Sequence, residues 1–182
     1  MAILNIRQLG DECLKKKCKP IKVITPRIRQ LAEDMLDTMY EAEGVGLAAP
    51  QVGILKRLVV IDTTPYPEDG EPDPDSVQRY VMINPEILET SGEQRGYEGC
   101  LSYTGMSGIV TRPSFVKVAF TDLEGFRCEL SAEGLLARAV CHECDHLDGV
   151  MYTERTEGPV ITNEELDRIL EEKEQEKETG DS

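Results

Sequence analysis

The sequence has no tryptophan, three phenylalanines and two histidines among its 182 residues. No apolar run approaches the roughly 20 residues that a membrane-spanning helix needs, and the N-terminus lacks the long apolar core of a signal peptide. We therefore expect no membrane partner and a cytoplasmic location, where the six cysteines stay reduced. Basic residues are also scarce: 20 Lys and Arg against 35 Asp and Glu give a net charge of −15, which argues against a nucleic-acid surface.

The composition is otherwise that of one globular domain, with 40% hydrophobic and 30% charged residues. Thr25 and Pro26 suit the N-cap and the first turn of a helix that ends near Gly44. The other predicted elements are a strand at 57–62, an exposed loop at 63–78, a strand at 80–83 that ends at Asn84-Pro85, further sheet at 86–97 and a hairpin at 115–130.

Both histidines lie in one hexapeptide, which reads CHECDH. His-Glu-x-x-His on a helix is a metal-site pattern, because at about 100° per residue His142 and His146 point only ~40° apart. The Glu143 side chain projects close enough to the two imidazoles to contact a ligand of that metal without itself binding the metal. The preceding run SAEGLLARAV favours a helix, with Ser131 as its N-cap and Leu135 on its buried face.

Two histidines do not complete a metal site, which needs at least a third protein ligand and, for catalysis, an open position. Helical geometry turns Cys141 and Cys144 away from the histidines by ~120° and ~180°. Cys100, in the stretch YEGCLS, is a reasonable third ligand, since a metal-bound thiol is deprotonated. The alternative to a metal site is a core helix in which the two histidines are merely hydrogen-bonded.

A glycine-rich apolar stretch, GVGLAAPQVG, begins at Gly44. Glycines let a ligand approach the backbone closely, and Gln51 is the one polar side chain of the stretch. The stretch is either a tight turn packed in the core or a binding edge at which the Gln51 amide donates.

Three blocks, GVGLAAPQ, EGCLS and HECDH, occur in this order along the chain. With them the chain strongly resembles the peptide deformylases, and the similarity extends from residue 3 to about Tyr152. The resemblance implies the hydrolysis of the N-formyl group from formylmethionine at the N-terminus of newly synthesised peptides, which releases formate.

The resemblance also implies an α+β fold, in which antiparallel sheets pack around a central metal-binding helix that carries the His-Glu-x-x-His motif. Residues 1–161 are expected to form a single catalytic domain of the deformylase type. Residues 162–182 are expected to form an acidic C-terminal helix or tail, opened by a capping box at Thr162.

The family roles map onto matching positions of this sequence. The peptide is expected to pair with the backbone around Val45 and Gly46 like an added strand, beside Gly99. An apolar pocket near Leu135 is expected to take the methionine side chain. The resemblance assigns Cys100, His142 and His146 as metal ligands, Glu143 as general base and then general acid, and Gln51 with the backbone N–H of Leu101 as oxyanion donors.

The implied cofactor is one divalent metal ion per chain. A Cys/His/His set suits Fe²⁺ and Zn²⁺ alike, and the resemblance favours Fe²⁺ in the cell, with Zn²⁺, Ni²⁺ or Co²⁺ in purified protein. The implied partners are N-formylmethionyl nascent peptides and, transiently, the ribosome.

The chain departs from the family pattern in two places. Residues 103–107 read YTGMS, where the family commonly has a proline two residues beyond Ser102 and an arginine a little further on. Cys141 stands where a glutamine is usual. Glu98 and Arg112 match a frequent family pair, and we expect them to form an ion pair that supports the Cys100 loop.

Two other classes of protein compete with this interpretation. A zinc metallopeptidase of the zincin type would use the same motif with Glu164 or Glu165 as the third ligand, but it leaves Cys100 unexplained. A non-catalytic protein stabilised by a metal would close the coordination shell with Cys141 or Cys144, against the helical geometry.

Overall fold

A computed structural model describes residues 2–180 of the chain. The helices are α1 (Pro26–Glu41), α2 (Gly134–Leu147) and α3 (Asn163–Gly180). The strands are β1 (Gly46–Ala48), β2 (Leu58–Asp62), β3 (Arg79–Ser91), β4 (Gln94–Cys100), β5 (Tyr103–Arg112), β6 (Phe115–Thr121), β7 (Arg127–Glu133) and β8 (Ile161–Thr162).

The strands form two sheets, in the orders β1-β2-β3-β6-β7 and β4-β5-β8. Every strand pair in both sheets is antiparallel. The predicted α+β fold with antiparallel sheets is confirmed, and α2 is the helix that carries the His-Glu-x-x-His motif.

Strand β2 shows how the core is divided between two helices. Its successive side chains point to opposite faces of the sheet: Val59 and Ile61 pack in the cluster that contains α2. Leu58 and Val60 pack in the cluster that contains Met35 of α1. Helix α2 is buried on nearly all sides, which places the metal-site motif in the interior instead of on a solvated face.

Helix α1 begins as predicted. The Thr25 hydroxyl accepts a hydrogen bond from the backbone N–H of Ile28 at 3.3 Å, and Pro26 occupies the first turn. The helix ends at Glu41, and Glu43, with a φ of 57°, turns the chain before Gly44.

The predicted start of α2 at Ser131 is wrong. Ser131 lies in β7 opposite Lys117 of β6, because the hairpin ladder continues to Glu133. The helix begins at Gly134, where a φ of 57° turns the chain out of the strand. The helix ends at Leu147, and Gly149, with a φ of 77°, follows the C-cap.

The predicted end of a strand at Asn84-Pro85 is also wrong. Strand β3 continues to Ser91, with a register shift between Ile83 and Glu86 that accommodates the proline in a bulge. Asn84 has a φ of 51° there, and its side-chain amide donates to the carbonyl of Ile21 at 2.8 Å.

The C-terminal helix packs little against the rest of the protein. None of the residues of α3 up to Gly180 is buried. The Thr162 hydroxyl accepts from the backbone N–H of Glu165 at 3.2 Å, which supports the predicted N-cap. The last two residues of the predicted tail lie outside the described part of the chain. Within residues 2–180, no helix is both long enough and apolar enough to cross a membrane.

Candidate metal centre

Helix α2 and strand β4 bring three possible ligand side chains together. His142 and His146 lie one helical turn apart, with ring centroids separated by 4.9 Å. Cys100, the last residue of β4, has its Sγ 3.3 Å from Nε2 of His146. One ligand atom from each of the three residues lies within 4.8 Å of the others. Such a cluster of one thiol and two imidazoles can hold one metal ion.

Glu98 orients the first of the two histidines. Its Oε1 lies 2.7 Å from Nδ1 of His142. Arg112 binds both carboxylate oxygens of Glu98, at 2.8 and 2.9 Å, as the predicted ion pair requires. An ionised Glu98 accepts a hydrogen bond from Nδ1–H, which leaves Nε2 of His142 free to bind a metal.

The charges around Glu98 keep it ionised. Burial alone would raise its pKa, but hydrogen bonds from Arg112 and His142 outweigh burial and hold the pKa well below its usual range. Arg138 adds a second guanidinium contact, with its Nη1 2.6 Å from Oε2 of Glu98. The carboxylate therefore joins two arginines to the ring of a candidate metal ligand.

Sequence reasoning did not single out Arg138. Its guanidinium also donates to the backbone carbonyls of Val110 and Gln94, both at 3.1 Å, so it joins α2 to strands β4 and β5. One signal for it was available, because Arg138 lies four residues before His142 on the same face of the helix.

Asp145 extends this network towards solvent. It accepts from Arg112 at 2.6 Å, and from Arg155 at 2.6 and 2.9 Å. A chain of ionised groups thus runs from the surface through Arg112 to Glu98 and His142.

The surroundings of the two histidines suit a bound cation. Burial lowers the pKa of His142, but hydrogen bonds with Cys100 and Glu98 outweigh it and raise the pKa to about 10. The site therefore stabilises positive charge beside Cys100. A bound divalent cation would supply that charge in place of the His142 proton, because an imidazole must be neutral to bind a metal. Burial holds the pKa of His146 well below its usual range, which keeps that imidazole neutral as a metal ligand must be.

Glu143 lies beside this cluster with an unused oxygen. Its side chain is buried, and among the described residues its Oε2 has no hydrogen-bond partner. Burial raises the pKa of Glu143 to about 7, with His142 opposing and Glu98 adding to the rise. A carboxyl group with this pKa can both accept and release a proton near neutral pH.

The backbone of β1 passes directly over Glu143. A Cβ added to Gly46 would lie 2.5 Å from Oε1 of Glu143 and 3.0 Å from its Cγ. A side chain larger than that of glycine at this position would therefore displace the carboxylate.

Gln51 belongs to a short 3-10 turn, Ala49–Val52, and is 1% exposed. Its Oε1 accepts from the backbone N–H of Ala48 at 2.9 Å. Its Nε2 lies 3.1 Å from Oγ of Ser102 and 3.4 Å from Sγ of Cys100. The amide nitrogen of Gln51 therefore lies against the candidate metal cluster.

A cleft of about 430 Å³ opens onto these residues. Leu101, in the turn after Cys100, lines it, and so do the four predicted substrate-binding residues Val45, Gly46, Gly99 and Leu135. Leu135 is 54% exposed, so its predicted place on the buried face of the helix is wrong. The first turn of α2 lies at the mouth of the cleft, where a leucine side chain remains accessible.

The cleft is also lined by residues of the 103–107 stretch, which departs from the family pattern, and by Asn163, which sequence reasoning missed. Met106 and Asn163 line it, and the Ser107 hydroxyl donates to Oδ1 of Asn163 at 2.8 Å. Pairing of β8 with Met106 and Ser107 of β5 brings Asn163 there from more than 50 residues along the chain. Such long-range pairing leaves no local signal in the sequence.

The competing ligand sets are not assembled among the described residues. Glu164 and Glu165 lie in the exposed α3, and the cluster of possible ligands contains neither. Cys141 and Cys144 are buried on α2 but are also outside that cluster. Burial raises the pKa of Cys141 to about 11, which favours its thiol form.

A thiol and two imidazoles beside a buried carboxylate, at the floor of an open cleft, are typical of a mononuclear metal-dependent hydrolase. A family model described as polypeptide deformylase matches residues 3–160. The chain belongs to the polypeptide deformylase family.

Individual relatives agree with this assignment. The peptide deformylase of Lachnoclostridium phytofermentans is 56% identical over 160 residues, which cover 88% of this chain and 93% of the relative. The crystal structure of a peptide deformylase from Synechococcus elongatus in complex with actinonin has a TM-score of 0.77 and 41% identity, covering 87% of this chain and 81% of that one. The Thermotoga maritima peptide deformylase has a TM-score of 0.77 and 36% identity, covering 87% of this chain and 100% of that one.

Proposed function

We propose that residues 1–161 form a catalytic domain in which Cys100, His142 and His146 hold one divalent metal ion and Glu143 moves the proton. The reaction is hydrolysis of the N-formyl group from formylmethionine at the N-terminus of nascent peptides, with release of formate. The observation that carries the proposal is the set of three ligand atoms within 4.8 Å of one another, next to a buried carboxylate oxygen that has no partner among residues 2–180.

The residues present fit such an ion by their chemistry. One thiolate and two imidazoles satisfy a borderline-soft divalent metal and leave a coordination position open. We propose Fe²⁺ in the cell, with Zn²⁺, Ni²⁺ or Co²⁺ able to replace it in purified protein. When bound, the metal acts as a Lewis acid that lowers the pKa of water towards neutrality.

Glu143 accepts the proton of the attacking water and delivers it to the departing amine nitrogen. Its pKa of about 7 suits both steps at neutral pH. The close passage of Gly46 over the carboxylate excludes bulk water from one side of this group, and the low local dielectric strengthens its interaction with charge that develops during the reaction.

Gln51 and the backbone N–H of Leu101 donate to the oxyanion that forms on the formyl oxygen. Gln51 is held for this role through its Oε1, which accepts from Ala48 at 2.9 Å and so fixes the amide plane. Because these donors are set before the reaction begins, they stabilise the transition state without reorganisation.

The substrate peptide lies in the cleft as an added strand. Val45 and Gly46 present backbone groups at one wall, Gly99 lies at the other, and Leu135 contributes apolar surface for the methionine side chain. Because the substrate is a nascent chain, we place the protein in the cytoplasm in transient contact with the ribosome. We place the acidic segment from residue 162 onwards outside this catalytic domain; its helix is described from Asn163 to Gly180.

Formate release from a formyl-Met peptide tests the proposal. We expect anaerobically iron-loaded protein to release formate, and Glu143→Ala protein with the same metal content to lose at least about a hundredfold in kcat, the scale of a lost general base. If the wild-type protein binds one metal ion per chain and releases no formate, the metal has a structural role and the proposal is wrong.

A further inference from the structure

The N-terminal segment, residues 7–9, lies across both loops that carry the proposed oxyanion donors. The backbone N–H of Arg7 donates to the carbonyl of Gln51 at 2.7 Å. The backbone N–H of Leu9 donates to the carbonyl of Ser102 at 2.7 Å. One short segment from the start of the chain therefore holds two loops that are about 50 residues apart in sequence.

The side chain between these two backbone contacts reaches the second loop as well. Nε2 of Gln8 donates to the carbonyl of Leu101 at 3.0 Å. Its Oε1 accepts from the Thr104 hydroxyl at 3.2 Å. Gln8 is exposed and does not line the cleft, so it can affect the substrate only through the residues that it binds, Leu101 and Thr104, which both line the cleft.

The turn at residues 100–102 needs such support. It contains a candidate metal ligand, an oxyanion donor and Ser102, whose hydroxyl oxygen lies 3.1 Å from Nε2 of Gln51. The carbonyl of Leu101 belongs to the peptide plane between Leu101 and Ser102, and the N–H donor of Leu101 belongs to the plane before it. The two planes meet at the Cα of Leu101, so a hydrogen bond that holds the carbonyl limits the rotation of the donor only through the φ and ψ angles of Leu101. An oxyanion donor contributes most when its direction is fixed before the substrate reacts.

We propose that Gln8 is a positioning residue for the reaction, which acts by restraining the turn that carries the Leu101 N–H, a proposed oxyanion donor. This inference rests on the proposed function, because it takes Leu101 as an oxyanion donor. The hydrogen bond from Gln8 then matters more in the transition state than in the ground state, where the formyl oxygen carries little charge.

Gln8→Met tests the proposal, because methionine keeps the length of the side chain, stays neutral and makes neither hydrogen bond. The matched control is Gln30→Met, at an exposed glutamine of α1 whose amide donates only to Asp34 at 3.0 Å. We expect Gln8→Met to lower kcat by about two- to tenfold, the value of one exposed hydrogen bond. KM, metal content and thermal midpoint should stay close to those of the control.

Backbone amide exchange at Leu101 and Ser102 gives a readout that does not depend on activity. We expect faster exchange at these two amides in Gln8→Met than in Gln30→Met. A variant with unchanged kcat, a change confined to KM, or a lower kcat without faster exchange would overturn the proposal. If the wild-type protein releases no formate, the proposed function is wrong, and the effect of Gln8 on the reaction is wrong as well. The comparison of amide exchange then still decides separately whether Gln8 orders the turn.

Discussion

Arg138 offers a quantitative test of the buried charge network. The perturbation is Arg138→Met, which keeps an apolar stem of similar length and removes the guanidinium. Side-chain exposures of 11% for Arg138 and 5% for Glu98 place this ion pair out of water. Removing one partner of a buried pair leaves the other charge without full compensation, which costs about 3–5 kcal/mol.

The protein contains its own control for this measurement. Arg155 also binds a carboxylate of the network, Asp145, at 2.6 Å, but its side chain is 48% exposed. Arg155→Met should therefore cost no more than about 1 kcal/mol, as solvent-exposed ion pairs do. Two arginines in one network are thus predicted to differ in their effect, because Arg138 is buried and also donates to two backbone carbonyls, whereas Arg155 is half exposed.

Urea unfolding of the metal-free variants measures both values. With a slope of about 2 kcal/mol per molar, Arg138→Met should lower the midpoint by roughly 1.5–2.5 M, against about 0.5 M or less for Arg155→Met. The metal-free protein is used so that metal affinity does not enter the comparison. Equal shifts of the urea midpoint for the two variants would refute the conclusion that Arg138 stabilises the buried Glu98 carboxylate.

Three further predictions concern other parts of the structure. Gly46→Ala should fold but lose at least about a hundredfold in kcat, because the new Cβ would meet Glu143 Oε1 at 2.5 Å and displace the proposed base; wild-type rates of formate release would contradict this. Gln51→Leu should lower kcat by about a hundredfold or more with bound metal unchanged, as expected for one oxyanion donor, and a loss confined to KM would count against that role. Burial raises the pKa of Asp62, but hydrogen bonds that include those from Thr64 and Tyr40 outweigh it and hold the pKa well below its usual range. The ionised Asp62 carboxylate therefore contributes its full stabilisation above the pKa of about 4 that it has in the unfolded chain, and this contribution is lost as the pH falls further. The loss of unfolding free energy in Asp62→Asn, measured by urea unfolding, should therefore shrink between pH 5 and pH 2. A difference between variant and wild type that stays constant over this range would contradict the assignment.

The sequence predicts those parts of the site that depend on local geometry. His142, Glu143 and His146 belong to one helical motif, and the spacing alone brings the two imidazoles to one face. Cys100 comes from a distant strand, and the three blocks of the family resemblance were needed to favour it as the third ligand over other acidic or thiol residues.

Errors in the fold prediction arise where long-range pairing overrides a local signal. Ser131 is a good N-cap residue, but the β6–β7 ladder keeps it in a strand opposite Lys117. The Asn84-Pro85 pair normally ends a strand, but here β3 continues through a bulge, in which the Asn84 side chain exchanges hydrogen bonds with the backbone of Ile21. Strand β5 was not predicted, because its pairing with β4 and β8 is set by tertiary contacts.

Arg138 and Asn163 escaped prediction for a related reason. Their partners, Glu98 and Ser107, are 40 and 56 residues away along the chain. An arginine on an apolar helix face and an asparagine at a helix start each have an ordinary explanation from the sequence alone. Only the folded arrangement shows that one holds the carboxylate that orients His142 and that the other lines the cleft.

The most direct test of the central claim is metal content combined with the absorption spectrum of Co²⁺-substituted protein, compared between Cys100→Ala and Cys141→Ala. The proposed ligand set predicts one metal ion per chain and a thiolate-to-metal charge-transfer band in wild-type and Cys141→Ala protein. Cys100→Ala should lose the band and retain far less than one ion per chain. A Cys100→Ala protein that keeps both would contradict the assignment of this thiolate to the metal, and with it the proposed active site.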